Sequence, residues 1–194
     1  TVGAGVVEIL QHQAALLSAR CHRDMIVTAV SARDKSRDRG FSLSHIAWEE
    51  DALALAARVD VDVVVELIGG AEGVAKSLCE AALTQGKHVV TANKALIAHH
   101  GGALAVIAEQ QNVQLMFEAA VAGGIPIIKL IKQGLAANDY SKIVGILNGT
   151  CNFILSTMER THRSFEDVLA EAQALGYAEA DPSFDIDGVD AAHK

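Results

Sequence analysis

The sequence predicts an α/β chain whose strands lie parallel beneath covering helices. Three observations lead there. Strand-like and helix-like runs alternate over the first 117 residues, an order that implies right-handed crossovers and parallel pairing. Apolar residues make up 51% of the chain and aromatics only 4%, so Ala, Val, Leu, Ile and Gly carry the core. That composition suits strands covered on both faces. After Glu118 the texture changes to a glycine-rich break, Ala119 to Pro126, so a second domain is expected from residue 118.

The elements follow in order. Val6 to Arg20 carries Val7, Leu10, Ala14 and Leu17 at helical spacing. Met25 to Ser31 is a short β-branched run, hence a strand, and Glu50 to Arg58 reads as a helix. V-D-V-V-V-E-L-I, Val61 to Ile68, is the clearest buried strand, stopped by Gly69-Gly70. Ala71 to Gln85 is helical, with Gly86 as its C-terminal stop. His88 to Thr91 and Val113 to Phe117 are strands. Between them, helical stretches from Asn93 to Gln110 are expected to break at Gly101-Gly102. Ile127 to Leu135 reads as a helix and Ser141 to Leu147 as a strand. Asn148-Gly149-Thr150 opens a helix to about Arg160. Ser164 with Asp167 marks a further helix start before Phe165 to Leu175.

Charge and composition exclude several classes. A net charge of −8 argues against general affinity for nucleic acid or acidic membranes. Cys21, Cys79 and Cys151 are odd in number and without metal or redox spacing, which favours a reducing, cytoplasmic setting. No apolar run reaches the roughly 18 residues of a membrane span.

Four stretches carry candidate chemistry. The opening Thr1-Val2-Gly3 reads as the end of G-x-G-T-V-G, with Gly3 as third glycine and the following helix N-terminus facing a pyrophosphate; the competing reading is a glycine-rich start without ligand. The second strand ends in A-R-D-K-S-R, Ala32 to Arg37. An acid at that tip would take the ribose hydroxyls of NAD, whereas Arg33 suits a 2′-phosphate, so NADP is expected ahead of NAD. The alternative is a solvated loop. Ile68-Gly69-Gly70 and Thr91, Asn93 and Lys94 lie at C-terminal strand ends, where ligands bind such sheets. Glu118 and the backbone carbonyls beyond it suit a hard monovalent cation, by the logic of all-oxygen ligation; a tight crossing loop is the competing view. His99-His100, expected on a loop, is a weak metal pair.

The tail, G-Y-A-E-A-D-P-S-F-D-I-D-G-V-D-A-A-H-K, packs Glu179, Asp181, Asp185, Asp187 and Asp190 ahead of Lys194. Asp190 and Lys194 are four apart, on one face if the segment is helical. Carboxylates there suit a substrate ammonium, and a lysine among charges can exchange protons. The bland reading is a solvated acidic loop with one ion pair.

Together with V-V-T-A-N-K, F-E-A-A-V-A-G-G-I-P-I-I and L-N-G-T-C-N-F-I, this tail makes the whole chain resemble homoserine dehydrogenase. The resemblance implies a Rossmann-like parallel-sheet domain over 1–117, followed by a partial α+β catalytic and dimerisation domain over 118–194. It implies NAD(P)-dependent interconversion of L-homoserine and L-aspartate 4-semialdehyde, in threonine and methionine biosynthesis, by a cytoplasmic homodimer. By the same resemblance Lys194 is the proton donor and acceptor, and Lys94 lies beside the nicotinamide. Glu179 and Asp190 hold the substrate, with Gly149 and Thr150 at a helix start meeting its carboxylate. Gly69, Thr91 and Gly176 touch the cofactor. Glu118 and the carbonyls of Val121, Gly123 and Ile125 form a sodium site. The family also has a first strand before Thr1 and a long segment after Lys194, so the chain is expected to be a piece of a longer one. Two other readings compete: a noncatalytic NADP-sensing or dimerisation module, and another Rossmann dehydrogenase such as aspartate-semialdehyde dehydrogenase. The first has no need of Lys94, Glu179, Asp190 and Lys194; the second needs an activated cysteine.

Overall fold

The structure, a computed structural model, describes residues 2–40 and 42–194. It divides into two compact units, Thr1–Ala120 and Val121–Lys194. Thr1, expected in the cofactor loop, lies outside the described residues.

Helices α1 (Val2–His12) and α2 (Ala14–Cys21) stand where one helix was expected over 6–20. Gln13 deviates between them, yet its N–H still reaches the Ile9 carbonyl at 2.9 Å and its carbonyl takes the Leu17 N–H at 2.9 Å. The break is a local distortion. Strand β1 (Ala29–Val30) pairs in parallel with β2 (Ala47–Trp48), a strand the sequence pattern does not announce. The run over 25–31 is therefore a ladder of only two residues, because its partner is that short. Helix α3 (Ala54–Ala57) occupies only the end of the 50–58 span and buries Ala56.

The central sheet has the order β3 (Val63–Glu66), β4 (His88–Thr91), β5 (Leu115–Met116), all parallel. Helices α4 (Val74–Thr84) and α5 (Lys94–Gln110) make the crossovers. Register aligns Val64 with Val89 and Val89 with Leu115. These three side chains face Leu78, Cys79, Ala82, Leu83, Leu96, Leu104 and Ala108, which form the buried core. Alternate residues point the other way. Val63, Val65, Val90 and Met116 remain 36–46% exposed, so among the described residues the second face of the sheet is covered only in part. Both crossover helices pack on the same side. β5 is shorter than expected, because Glu118–Ala120 winds into a 3-10 turn.

Gly86 does stop α4. It sits at φ 74°, its N–H bonds Leu83 O at 3.0 Å, and the Lys87 N–H bonds Ala82 O at 2.9 Å, the paired bonds of a Schellman ending. The expected break at Gly101-Gly102 is absent, and α5 runs unbroken. Two glycines cost a helix about 1 kcal/mol each, but Leu96, Leu104 and Ala108 anchor one buried face. A Cβ on Gly101 would come within 3.2 Å of Ile97 Cγ2, so the glycine makes room for that side chain.

In the second unit, α6 (Ile127–Lys129) runs into a π-helical turn, Leu130–Gly134. The strand expected at 141–147 does not form. The segment is irregular, without a ladder partner among the described residues, and Ile143, Val144 and Ile146 are 69–78% exposed. Helices α7 (Gly149–Thr161) and α8 (Phe165–Ala174) pack through Ile154, Val168, Ala172 and Ala178. Ser164 caps α8 by accepting the Asp167 N–H at 3.2 Å. Short helices α9 (Ser183–Ile186) and α10 (Val189–Ala192) close the chain. No described helix is long and apolar enough to cross a membrane.

Candidate functional site

At the C-terminal ends of β3 and β4 the sequence places three polar residues in a hydrophobic layer, and all three are buried. Glu66 and Thr91 are 0% exposed and Asn93 6%. Thr91 Oγ1 donates to Glu66 Oε2 at 2.5 Å and accepts the Asn93 N–H at 2.9 Å. Glu66 Oε1 accepts the N–H groups of Ile68 (2.7 Å) and Gly69 (3.1 Å). The Asn93 amide donates to Gly70 O at 2.6 Å, and its oxygen accepts the Leu96 N–H at 3.1 Å, capping α5 one residue before Lys94. Gly69 and Gly70, at φ 87° and 83°, take a left-handed turn that a Cβ would strain. Thus Gly69 and Thr91 belong to one bonded corner, and Lys94 follows directly on its member Asn93. Glu66 is the member the sequence reading missed; an acid within V-V-V-E-L-I was the available signal.

The loop after β1 carries Arg33, which is exposed three residues beyond the strand. Asp34 follows it, but its Oδ1 is engaged by the Ser36 N–H (2.8 Å) and hydroxyl (2.6 Å). Those bonds, the hydroxyl's first, hold its carboxyl below the ordinary value. The Arg39 guanidinium donates to the carbonyls of Arg37 and Asp34 and stands 5.2 Å from the Trp48 ring, with Lys35 at 6.0 Å from it. Arg39 and Trp48, neither singled out by sequence, shape the loop that presents Arg33. Gly3 lies on α1 with Leu67 beside it: a Cβ there would sit 3.8 Å from Leu67 Cδ1, an ordinary contact. Val2 begins α1 and is exposed.

In the second unit the tail gathers around Asn148, which is 8% exposed. Its oxygen caps α7 by accepting the Cys151 N–H at 2.7 Å. Its amide nitrogen donates to Asp185 Oδ1 and Asp190 Oδ2, both at 2.8 Å. Lys194 Nζ stands 3.3 Å from Asp190 Oδ2 and donates to Leu147 O at 2.6 Å. The i,i+4 spacing on α10 thus becomes an ion pair, with Asp190 itself buried. Glu179 is not bonded into this cluster; it lies on an exposed turn whose carbonyl accepts from Gln173 Nε2 at 3.0 Å.

An open hollow of about 490 Å³ lies against the same helix start, lined by Gly149, Thr150, Phe153, Gly176 and Tyr177. Thr150 Oγ1 ties the hollow's two walls together by donating to Tyr177 O at 2.7 Å. Phe153 and Tyr177 meet edge to face at 5.0 Å. Gly149, Thr150 and Gly176, far apart in the sequence, therefore share one concave surface.

The remaining candidates are quickly placed. Glu118 opens the 3-10 turn, and the carbonyl of Ile125 accepts the Ile127 N–H at 2.8 Å. Val121 and Gly123 lie between them in sequence; no group of three or more His, Cys, Asp or Glu forms a metal cluster among the described residues. His99 and His100 lie on α5, not a loop, and His100 Nε2 pairs with Glu72 at 2.6 Å. Burial pushes the Cys79 thiol up to about 12. Cys151 is raised too, by burial and then by the charges of Asp185 and Asp190, the opposite of an activated nucleophile.

Comparison with known proteins gives a consistent result. The profile of the homoserine dehydrogenase NAD-binding domain matches residues 1–118, and that of homoserine dehydrogenase matches residues 126–194. The chain is 52% identical to homoserine dehydrogenase of Neisseria gonorrhoeae over 194 residues, covering 100% of itself and 44% of that protein. A homoserine dehydrogenase structure from Thiobacillus denitrificans superposes with a TM-score of 0.87 at 45% identity, over 100% of this chain and 44% of the other. A hyperthermophilic archaeal homoserine dehydrogenase solved in complex with NADPH superposes at 0.70 with 30% identity, over 84% of this chain and 50% of that one. The chain therefore spans somewhat under half the length of the curated relative.

Proposed function

The chain belongs to the homoserine dehydrogenase family, and we propose that it forms the cofactor-binding and substrate-binding part of an enzyme interconverting L-homoserine and L-aspartate 4-semialdehyde, a step toward threonine, methionine and isoleucine. The observation that carries this reading is the Lys194–Asp190–Asn148–Asp185 cluster. A noncatalytic module has no use for a lysine and carboxylates gathered there by a buried amide.

A nicotinamide dinucleotide, when bound, supplies or accepts the hydride. Everything else falls to side chains. Lys194, an ammonium already directed by Leu147 O and Asp190, gives a proton to the aldehyde oxygen on reduction and takes it back on oxidation. Such a donor also stabilises the developing alkoxide, with Lys94 as second cation. Asp190 and Glu179 hold the substrate ammonium. The N–H groups of Gly149 and Thr150, at the start of the 13-residue α7, meet its carboxylate.

The corner at β3 and β4 suits a dinucleotide, because its glycines leave room and its polar groups are already fixed. Val2, Gly3 and Gly176 are further contacts, with Thr1 assigned by sequence only. NADPH is the preferred cofactor: Arg33 is exposed while its neighbour Asp34 is tied into its own turn. Sodium is assigned to Glu118 and the carbonyls of Val121, Gly123 and Ile125, and the full-length enzyme to a cytoplasmic homodimer. The test follows NADPH absorbance with the full-length protein and aspartate semialdehyde. Consumption requiring both enzyme and aldehyde is expected; NADPH binding without consumption would select the noncatalytic module.

A further inference from the structure

Glu66 is a buried carboxylate that the chemistry above does not use. A carboxylate removed from water costs several kcal/mol unless its lone pairs are met. Here they are met entirely by neutral donors: Ile68 N–H and Gly69 N–H on one oxygen, the Thr91 hydroxyl on the other. Thr91 has one proton, and Asn93 N–H already donates to its oxygen, so that proton points to Glu66. Asn93 in turn holds Gly70 O and caps the helix that begins at Lys94. The bonds thus run from Ile68 and Gly69 through Glu66, Thr91 and Asn93, and close again on Gly70.

This arrangement dictates what the glycine loop presents to a ligand. Loops that cradle phosphate do so with outward N–H groups. In this loop the N–H groups of Ile68 and Gly69 are turned inward onto Glu66. The space beside Gly69 is open, since a Cβ built there would meet nothing within 4 Å. What remains beside Gly69 is open backbone with those two N–H groups unavailable to a ligand. Such a surface suits an uncharged, flat portion of a ligand better than a phosphate.

We infer that Glu66 is a positioning residue: its buried carboxylate locks the Gly69-Gly70 loop and, through Thr91 and Asn93, the helix start carrying Lys94 into one unit that receives the nicotinamide–ribose end of the cofactor. The inference rests on the dinucleotide reading above. Glu66→Gln tests it because an amide must set its NH₂ against either the two N–H donors or the Thr91–Asn93 bond. Either way the pattern of donors fails.

The experiment uses the full-length protein and two probes: NADPH, followed by its fluorescence, and adenosine 2′,5′-bisphosphate, which carries the phosphate end but lacks nicotinamide and its ribose. Glu66→Gln should weaken NADPH at least tenfold and leave the bisphosphate within twofold. Thr91→Val, a milder change of similar shape, should likewise weaken NADPH and leave the bisphosphate within twofold, and it decides the matter if Glu66→Gln does not fold. Equal weakening of both probes would reduce Glu66 to a general structural role, and no weakening of NADPH would overturn the inference outright. Failure of the unaltered protein to bind NADPH overturns the dinucleotide reading, and this inference with it. Normal NADPH binding with normal Glu66→Gln behaviour overturns the inference alone.

Discussion

Lys194 keeps its ammonium between acceptors of opposite character, a neutral carbonyl at 2.6 Å and a carboxylate at 3.3 Å. The carboxylate pairs with it by charge, and the carbonyl fixes its direction without adding charge. A proton donor needs both. Lys194→Ala should therefore lower turnover by about 10²–10⁴-fold while NADPH affinity, measured by fluorescence titration, stays within twofold; turnover within a few-fold of the unaltered enzyme would remove the assignment. This pair was legible in the sequence because four residues apart is one helical turn. Asn148 was legible as a helix start, but its bonds to Asp185 and Asp190 cross 37 and 42 positions, which no local pattern reports. Glu66 and Trp48 were missed for a related reason. Each looks ordinary among its neighbours in sequence, and each acquires its role from a partner on another element.

Helix starts show how one side chain can serve an element and a site together. Asn148 caps α7 and also bonds both carboxylates, so the two roles can be separated by substitution. Asn148→Ala removes the cap and strands Asp185 and Asp190 without their shared donor; a lost cap alone costs about 0.5–2 kcal/mol, and the midpoint of urea unfolding should fall accordingly. Asn148→Asp restores a capping oxygen but sets a third carboxylate beside the other two. Like charges raise carboxylate pKa values above those of the unfolded chain, so the variant's deficit should be greatest near neutrality and shrink as pH falls and one group takes a proton. A deficit independent of pH would mean that only the cap matters. At this scale the sequence read well where an element is defined by itself: α4 with its glycine stop, α8 with Ser164, β4 residue for residue. It read poorly where an element exists only by pairing. The apolar run at 141–147 has strand character and no ladder, while β2 has a ladder and little strand character. Gly101 and Gly102 misled for the converse reason, since burial of neighbouring turns outweighs their weak helix propensity.

Across the molecule the charges pull against the proposed cofactor. The chain has 16 basic and 24 acidic residues, net −8, so its distant field repels any dinucleotide, and repels one bearing a 2′-phosphate more, by roughly 1.5–2 further charges. Against this stands the loop after β1, where Arg33, Lys35, Arg37 and Arg39 alternate in sequence with Asp34 and Asp38. Arg39 is engaged with loop carbonyls, and Lys35 leans toward Trp48. Arg33 and Arg37 remain, and Arg33, the nearer to the end of β1, is the one we expect to meet a phosphate with forked, charge-assisted bonds. A preference for NADPH must then come from contact and not from the overall field, and the two respond differently to salt. The screening length falls from about 30 Å at 0.01 M to about 8 Å at 0.15 M. That change suppresses the repulsion from the rest of the chain far more than a bond made in contact. Bonds to charged groups contribute about 1.5–3 kcal/mol, so NADPH should bind roughly ten- to a hundredfold more tightly than NADH, with the preference retained at 0.15 M. Arg33→Ala should abolish most of it by weakening NADPH alone, and Lys35→Ala should do so much less. Fluorescence titration of both cofactors at the two salt concentrations decides the point. A preference that collapses with salt, or an Arg33→Ala variant that weakens both cofactors alike, would leave the loop as a solvated turn.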